Sequence, residues 1–419
     1  MSDLPPARHR TLSAERYTVD TPPRPSWRPF VLIALVVLVA LASSATPSPL
    51  YVDYQQAWGT SGTMITVVYA VYALAVLIPL VFLGRLSDAI GRRPVILTGL
   101  ALLTVSMGLL AVAPNVGWLI AARLLQGVSV GLITGPAAAA LIELHPRRDS
   151  RVGALINSST TNFGIAGGVL LSGAVAKSSS SPLTLPYQLI AASTLALVAA
   201  VSAFVPETAG GASTLRDALR LRPPTVPASM RSVFALAAIS VIVSWSVGGV
   251  FLGLGGALAR DLVGRSDYLV TGLVVATLQG AAGVAQLVWN LRAGPDRWRR
   301  GMVVAVGFLV PGLVVASLSL ERSSVPGFLL AALLTGLGMG LLFLIGTTIV
   351  ARHAPSRTRG QVFAALYLVA YTSLGVPAVV AALVAERIGL IAAYHLLALF
   401  VGVVSVVALG AVLLGRGRR

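Results

Sequence analysis

Twelve stretches of about twenty apolar residues follow one another along this 419-residue chain, and arginine collects in the short segments between them. As a helix, a run of that length matches the hydrocarbon thickness of a bilayer. Lipid offers no partner to a backbone N–H or C=O, so only helices and closed barrels cross it. Continuous apolar runs without a two-residue alternation point to helices. The runs lie near 30–52, 62–83, 94–113, 116–140, 152–176, 186–205, 233–258, 269–291, 302–320, 326–351, 361–385 and 389–414. The fold expected is therefore all-α and integral to the membrane.

Charge supports the same reading. Only 11% of the residues are charged, where a soluble domain needs about a quarter. The net charge of +17 would suggest nucleic-acid binding if it formed one patch, but the arginines come in clusters between apolar runs, so no nucleic-acid partner is expected. With no cysteine, disulfides and thiolate metal sites are excluded. The four histidines are scattered, and Lys177, the sole lysine, rules out a phosphate-binding loop of the G-x-x-x-x-G-K-[ST] type. No cofactor or metal is expected. No span presents a carboxylate pair or histidine cluster, which argues against an enzyme.

Counting loops from an inside amino terminus puts 25 of the 31 basic residues on the cytoplasmic side, among them Arg147, Arg148 and Arg151. Both termini are thus expected inside a cell membrane. The chain divides into a disordered cytoplasmic tail over 1–28, a six-helix bundle over 29–205, a cytoplasmic linker over 206–232 and a second bundle over 233–415. In the linker, Thr214 and Asp217 are spaced to cap a short surface helix. The apolar run after the tail also looks like a secretory signal, yet its basic leader is long and cleavage would leave eleven spans. The halves echo each other weakly: WGTSGTMITVVYAVYALAVL at Trp58 and VGRSDYLVTGLVVATLQGAA at Val263 are about 205 residues apart, as a duplicated unit would give.

Between spans two and three lies GRLSDAIGRRPVIL, unusually charged for this chain. Gly84 and Gly91 permit a tight turn. Arg92 and Arg93 suit the anionic inner leaflet, and Asp88 can accept hydrogen bonds from an arginine or a helix N-terminus. The stretch closely resembles the G-x-L-a-D-r-x-G-r-[KR] signature of the major facilitator superfamily, departing only at Ala89. The resemblance implies two pseudo-symmetric six-helix bundles that alternate access to a midplane site. It further implies that Asp88, with Arg92 as partner, latches the halves at the cytoplasmic side. A degenerate second copy keeps Asp296. In span four, R-L-L-Q-G at Arg123 resembles the family's R-x-x-q-G pattern. An intramembrane arginine faces a cavity or partner, or snorkels; Arg123 lies about 10 Å below the outer end. In span five Gly164, Gly168 and Gly173 partly match the antiporter signature that marks exporters, with Val169 and Ser172 departing from it; small residues also serve helix packing.

Polar and aromatic residues inside the spans mark a cavity lining: Tyr69 and Tyr72, Gln126, Asn157 and Asn162, Trp245, Gln279 and Gln286, Tyr367 and Tyr371. Each could instead bond across a helix interface. All 14 acidic residues fall in loops, tails or helix ends. Asp53, closing span one with Arg123 as a prospective neighbour, is the first choice for a proton carrier. The expected activity is proton-coupled export of small neutral or anionic apolar molecules by a monomer, with Trp245 and Trp289 supplying aromatic packing. Uptake of a metabolite, or a non-transporting sensor or scaffold, are the alternatives.

Overall fold

The computed structural model describes residues 26–83, 86–147, 150–208, 224–264, 267–293, 297–355 and 358–414. The tail up to residue 25, the linker helix around Thr214 and Asp217, Gly84, Arg148 and Asp296 lie outside the described residues. Helices in chain order are α1 (Trp27–Ala45), α2 (Tyr51–Trp58), α3 (Gly62–Phe82), α4 (Leu86–Ile90), α5 (Arg92–Ala111), α6 (Val116–Glu143), α7 (Ser150–Ser178) and α8 (Leu185–Phe204), then α9 (Arg231–Val263), α10 (Tyr268–Arg292), α11 (Trp298–Glu321), α12 (Val325–His353), α13 (Arg359–Ile388) and α14 (Leu390–Leu414). All but α2 and α4 are long, and the long helices coincide with the apolar runs to within a few residues.

Two details differ from the sequence reading. Span one covers Trp27–Trp58 but is interrupted: α1 stops at Ala45, a 3-10 turn follows over Ser48–Leu50, and Asp53 rides on the separate helix α2. Pro47 and Pro49 break the run, because proline lacks the N–H and its ring clashes with the preceding turn. Nor are all twelve long helices equally apolar. Eleven stretches among the described residues are long and apolar enough to cross a membrane, and α7 is not among them. Its first half carries the polar run Asn157-Ser-Ser-Thr-Thr-Asn162, which can sit at membrane depth because it faces a cavity rather than lipid.

Glycine sets the helix spacing. On α6, a Cβ at Gly127 or Gly131 would lie 2.5 and 2.6 Å from the carbonyls of Tyr72 and Val76 on α3. On α12, Gly336 and Gly340 press as closely on the carbonyls of Leu278 and Ala282 in α10. The two Gly-x-x-x-Gly pairs occupy equivalent helices of the two halves, so the internal repeat is expressed in packing as well as in order. Helix starts repeat too. Ser61 and Asn115 cap α3 and α6, and Asp267 and Ser324 cap α10 and α12, each accepting a backbone N–H. The halves meet where α3 packs on α13 and α7 on α10.

Candidate functional site

Between the halves lies a cavity of about 1250 Å³, large enough for a drug-sized molecule. Its wall runs from Ser44, Tyr69 and Gly248 to a rim of Val152, Asn290, Arg352 and Phe363, at the end of the molecule that carries the charged motif. At the opposite end contacts cross from one half to the other. The Ser48 hydroxyl donates to the Leu252 carbonyl at 2.7 Å, the Thr63 N–H to Glu386 at 3.2 Å, and Lys177 pairs with Asp267 at 3.3 Å. Asp53 lies beside Tyr268 of the other half. The cavity is thus open toward the motif and closed away from it.

Burial alone would raise the Asp267 carboxyl, but the N–H groups of Val270 and Leu269, with Lys177, hold it below the usual carboxylate range. A depressed carboxyl contributes its bonds at every pH above its ordinary range and loses them only as pH falls through the lowered value. The Lys177 to Asp267 bridge therefore persists at physiological pH and is no proton switch there.

The two walls differ in chemistry. From the carboxyl half, Trp245 on α9 stands with its ring 4.8 Å from Tyr371 on α13, edge-on, and 5.5 Å from Phe343 on α12. Phe363 and Tyr367 extend this aromatic surface toward the rim. From the amino half come Asn157, Ser158, Thr161 and Asn162 of α7 with Tyr69 and Tyr72 of α3. No carboxylate lines the cavity among the described residues; Arg352, at the rim, is its one charged lining side chain.

Nine of the ten residues singled out for a lining lie on this wall: Tyr69, Tyr72, Asn157, Asn162, Trp245, Gln279, Gln286, Tyr367 and Tyr371. Gln126 does not. It is fully buried behind the wall, donating to the Ser43 carbonyl at 2.8 Å and accepting from Arg123 at 2.6 Å. Trp289 also lies off the wall and packs against Gly301 of α11. Gln286 is already engaged: its carbonyl accepts from Asn162 at 3.2 Å and from Ser158, and its amide donates to the Gly340 carbonyl. These bonds tie α7 to α10 across the two halves. Thr347, Thr348 and Asn290 also line the cavity; as polar residues inside apolar runs, they carried the same signal and were not singled out.

Arg123 is wholly buried, not snorkelling. One terminal nitrogen donates to the Ser44 carbonyl at 3.1 Å and to Gln126, the other to the Tyr51 hydroxyl at 2.5 Å. The rings of Tyr72, Tyr51 and Tyr69 stand 4.7, 5.9 and 6.0 Å from its guanidinium carbon. A desolvated cation gains about 2 kcal/mol from such faces. The expected approach to Asp53 is not made: among the described residues no carboxylate pairs with Arg123, and from α2 it is the Tyr51 hydroxyl that meets the guanidinium.

In the charged motif, Gly91 adopts φ +101°, a conformation that favours glycine. Arg92 bonds Asp88 at 3.2 Å and both oxygens of Glu143 at 2.8 Å. All three belong to the amino half, and among the described residues no bond of this cluster reaches the carboxyl half. Glu207, just past α8, accepts the N–H of Arg92 at 2.8 Å and of Arg93 at 3.1 Å. A carboxylate from a distant segment thus caps α5, whose own N-cap residue is a side-chain-free glycine. Glu143 and Glu207 escaped the sequence reading because their partners lie 51 and over 100 residues away. Of the span-five glycines, Gly164 and Gly168 press on the Leu38 and Ala42 carbonyls of α1, and Gly173 on the Tyr268 carbonyl of α10.

A family model described as Major Facilitator Superfamily matches residues 33–289, well over half of the chain. This protein belongs to that superfamily. A Rickettsia bellii protein described as "Uncharacterized transporter" is 48% identical over 62 residues, covering 14% of this chain and 15% of that one. The "Multi-drug resistance efflux pump PmrA" of Streptococcus pneumoniae is 38% identical over 87 residues, covering 21% of each chain. These alignments span about a fifth or less of the curated relatives' lengths. The crystal structure of the human organic anion transporter MFSD10 (TETRAN) superposes with a TM-score of 0.69 at 17% identity, over 93% of this chain and all of that one. The fold is shared.

Proposed function

We propose that this transporter is a proton-coupled exporter of small apolar molecules, neutral or anionic, and that it works as a monomer in the cell membrane by alternating access. The observation that carries the reading is a drug-sized cavity between the halves, aromatic on one wall, polar on the other, and free of lining carboxylates among the described residues. A buried cation without a counter-charge is costly, which disfavours permanent cations as substrates. Local similarity to a multidrug efflux pump supports export over uptake. Arginine clustering supports cytoplasmic termini; with that orientation the cavity opens inward.

Asp53 remains the proton carrier of this proposal. One of its carboxylate oxygens is buried without a hydrogen-bond partner, and the carboxyl lies beside Tyr268 of the other half, so a proton there would act where the halves part. The test is flux into proteoliposomes under an imposed pH gradient. Export of lipophilic neutral or anionic compounds should follow the gradient, and Asp53→Asn should remove that dependence. A quaternary ammonium compound as best substrate would overturn the substrate class, and an unchanged pH response in Asp53→Asn would overturn the carrier.

Two expectations accompany this proposal. Single cysteines at Ser180 and Ser324 should react with an impermeant thiol reagent from outside intact cells, and one at Ser26 should not; labelling at Ser26 would reverse the orientation. In the proposed cycle the Asp88 cluster latches the cytoplasmic side when the cavity faces outward. Asp88→Asn should therefore slow turnover about tenfold while changing substrate affinity less than twofold, since one charge-assisted bond at the latch contributes about 1.5 kcal/mol. Weakened binding at unchanged turnover would contradict the latch.

A further inference from the structure

At the closed end two donors are left that nothing satisfies, one on the cavity wall at Tyr69 and one directly behind it at Arg123. The three hydrogen bonds of Arg123 use both terminal nitrogens and leave Nε buried and unpaired. The Tyr69 hydroxyl is likewise buried and unpaired, although Tyr69 forms part of the cavity wall and its ring lies 6.0 Å from the guanidinium carbon. Tyr72, its neighbour on the wall, presents its ring face to the guanidinium carbon at 4.7 Å. A role for Arg123 as a tie from α6 to α1 and α2 accounts for the bonds to Ser44 and Tyr51. It does not account for the two idle donors, or for a guanidinium buried without a counter-ion, each of which costs free energy.

We infer that the closed end is an anion subsite, in which Arg123 Nε–H and the Tyr69 hydroxyl hold one monovalent anionic group. This rests on reading the cavity as the substrate path. The group is a carboxylate carried by the substrate or an inorganic monoanion that enters with it. Both share the chemistry the site requires: a single negative charge that accepts hydrogen bonds and neutralises Arg123. An apolar body attached to such a carboxylate would lie against Trp245, Phe343 and Tyr371.

The decisive comparison is 2-naphthoate against 2-naphthalenemethanol, matched in bulk and differing in charge, in equilibrium binding to purified protein in chloride-free sulfate buffer. Tyr69→Phe removes only the hydroxyl. Tyr394→Phe is the matched control, since that hydroxyl is also buried and unpaired but sits off the cavity wall, near Phe251 and Phe328. Wild type should bind the carboxylate more tightly than the alcohol. Tyr69→Phe should weaken naphthoate about fivefold or more and shift the alcohol less than twofold, with Tyr394→Phe like wild type. Chloride that competes with naphthoate identifies the substrate's own carboxylate as the occupant. Chloride that instead strengthens binding of the alcohol in a Tyr69-dependent way identifies an inorganic anion. Equal binding of both probes without any chloride effect, or equal weakening of both by Tyr69→Phe, would overturn the subsite. Vesicle flux separates this from the transport reading: anion-selective binding with no flux removes the transport reading alone, and flux with no anion preference removes the subsite alone.

Discussion

Gly168→Leu should lower the thermal midpoint of the purified protein by about 5 °C or more, while Gly167→Leu beside it should leave the midpoint unchanged. Both glycines lie on α7, but they face different surroundings. A Cβ at Gly168 would collide with the Ala42 carbonyl and Cα of α1, backbone atoms that no rotamer change can move aside. At Gly167 nothing lies within 4 Å. Overpacking against a fixed backbone costs about 1–3 kcal/mol and occasionally more; contact with two backbone atoms puts Gly168→Leu at or above the top of that range, which at about 2 °C per kcal/mol for a chain larger than a small domain gives the stated shift. The effect should reach the cavity as well. Pushing α7 off α1 would break the 2.6 Å bond from the Ser172 hydroxyl to the Thr46 carbonyl and displace Asn157 to Asn162, which line the cavity on the same helix. A thermal melt of the two variants and wild type in one detergent checks this; equal midpoints would mean that α1 and α7 are not locked as described.

Arg123→Leu should reduce transport about a hundredfold at matched insertion, and Arg123→Lys should recover only part of it. Leucine leaves the Ser44 carbonyl, the Gln126 side chain and the Tyr51 hydroxyl facing an apolar stem. Losing bonds of this charge-assisted kind costs about 1.5–3 kcal/mol apiece, and a total near 2.7 kcal/mol expressed in the transport cycle is already a hundredfold in rate. Lysine restores the charge but not the planar fork that reaches α1, Gln126 and Tyr51 together. Flux normalised to reconstituted protein is the measurement. Wild-type rates in Arg123→Leu would reduce the tyrosine cage to packing.

Much of this was legible in the order of residues. A span of about twenty apolar residues needs no tertiary partner to be recognised, because bilayer thickness alone sets its length. For the same reason the helix ends, capped by Ser61, Asn115, Asp267 and Ser324 within a few residues of their own chain, fell close to where the sequence put them. The polar residues that stood out against their apolar neighbours also came together on one cavity. Local chemistry was misleading where two effects compete: Pro47 and Pro49 sit inside an apolar run, and the run's length hid the break that places Asp53 on a separate short helix.

What only the tertiary structure decided are the pairings between distant segments. Sequence marks Gln126 and Gln286 equally as polar groups in apolar helices, yet one is sealed behind the wall by Ser43 and Arg123 and the other bridges α7 and α10. Nothing local distinguishes them, since an amide in hydrocarbon must find a partner and which partner is near depends on how helices over a hundred residues apart are packed. The same holds for Glu207 capping α5, for the Gly-x-x-x-Gly pairs that set helix distance in both halves, and for which end of the cavity is closed. Spans and charges follow from the solvent each residue must meet; the hydrogen bonds that make a site follow from which helices the packing brings within 3 Å of one another.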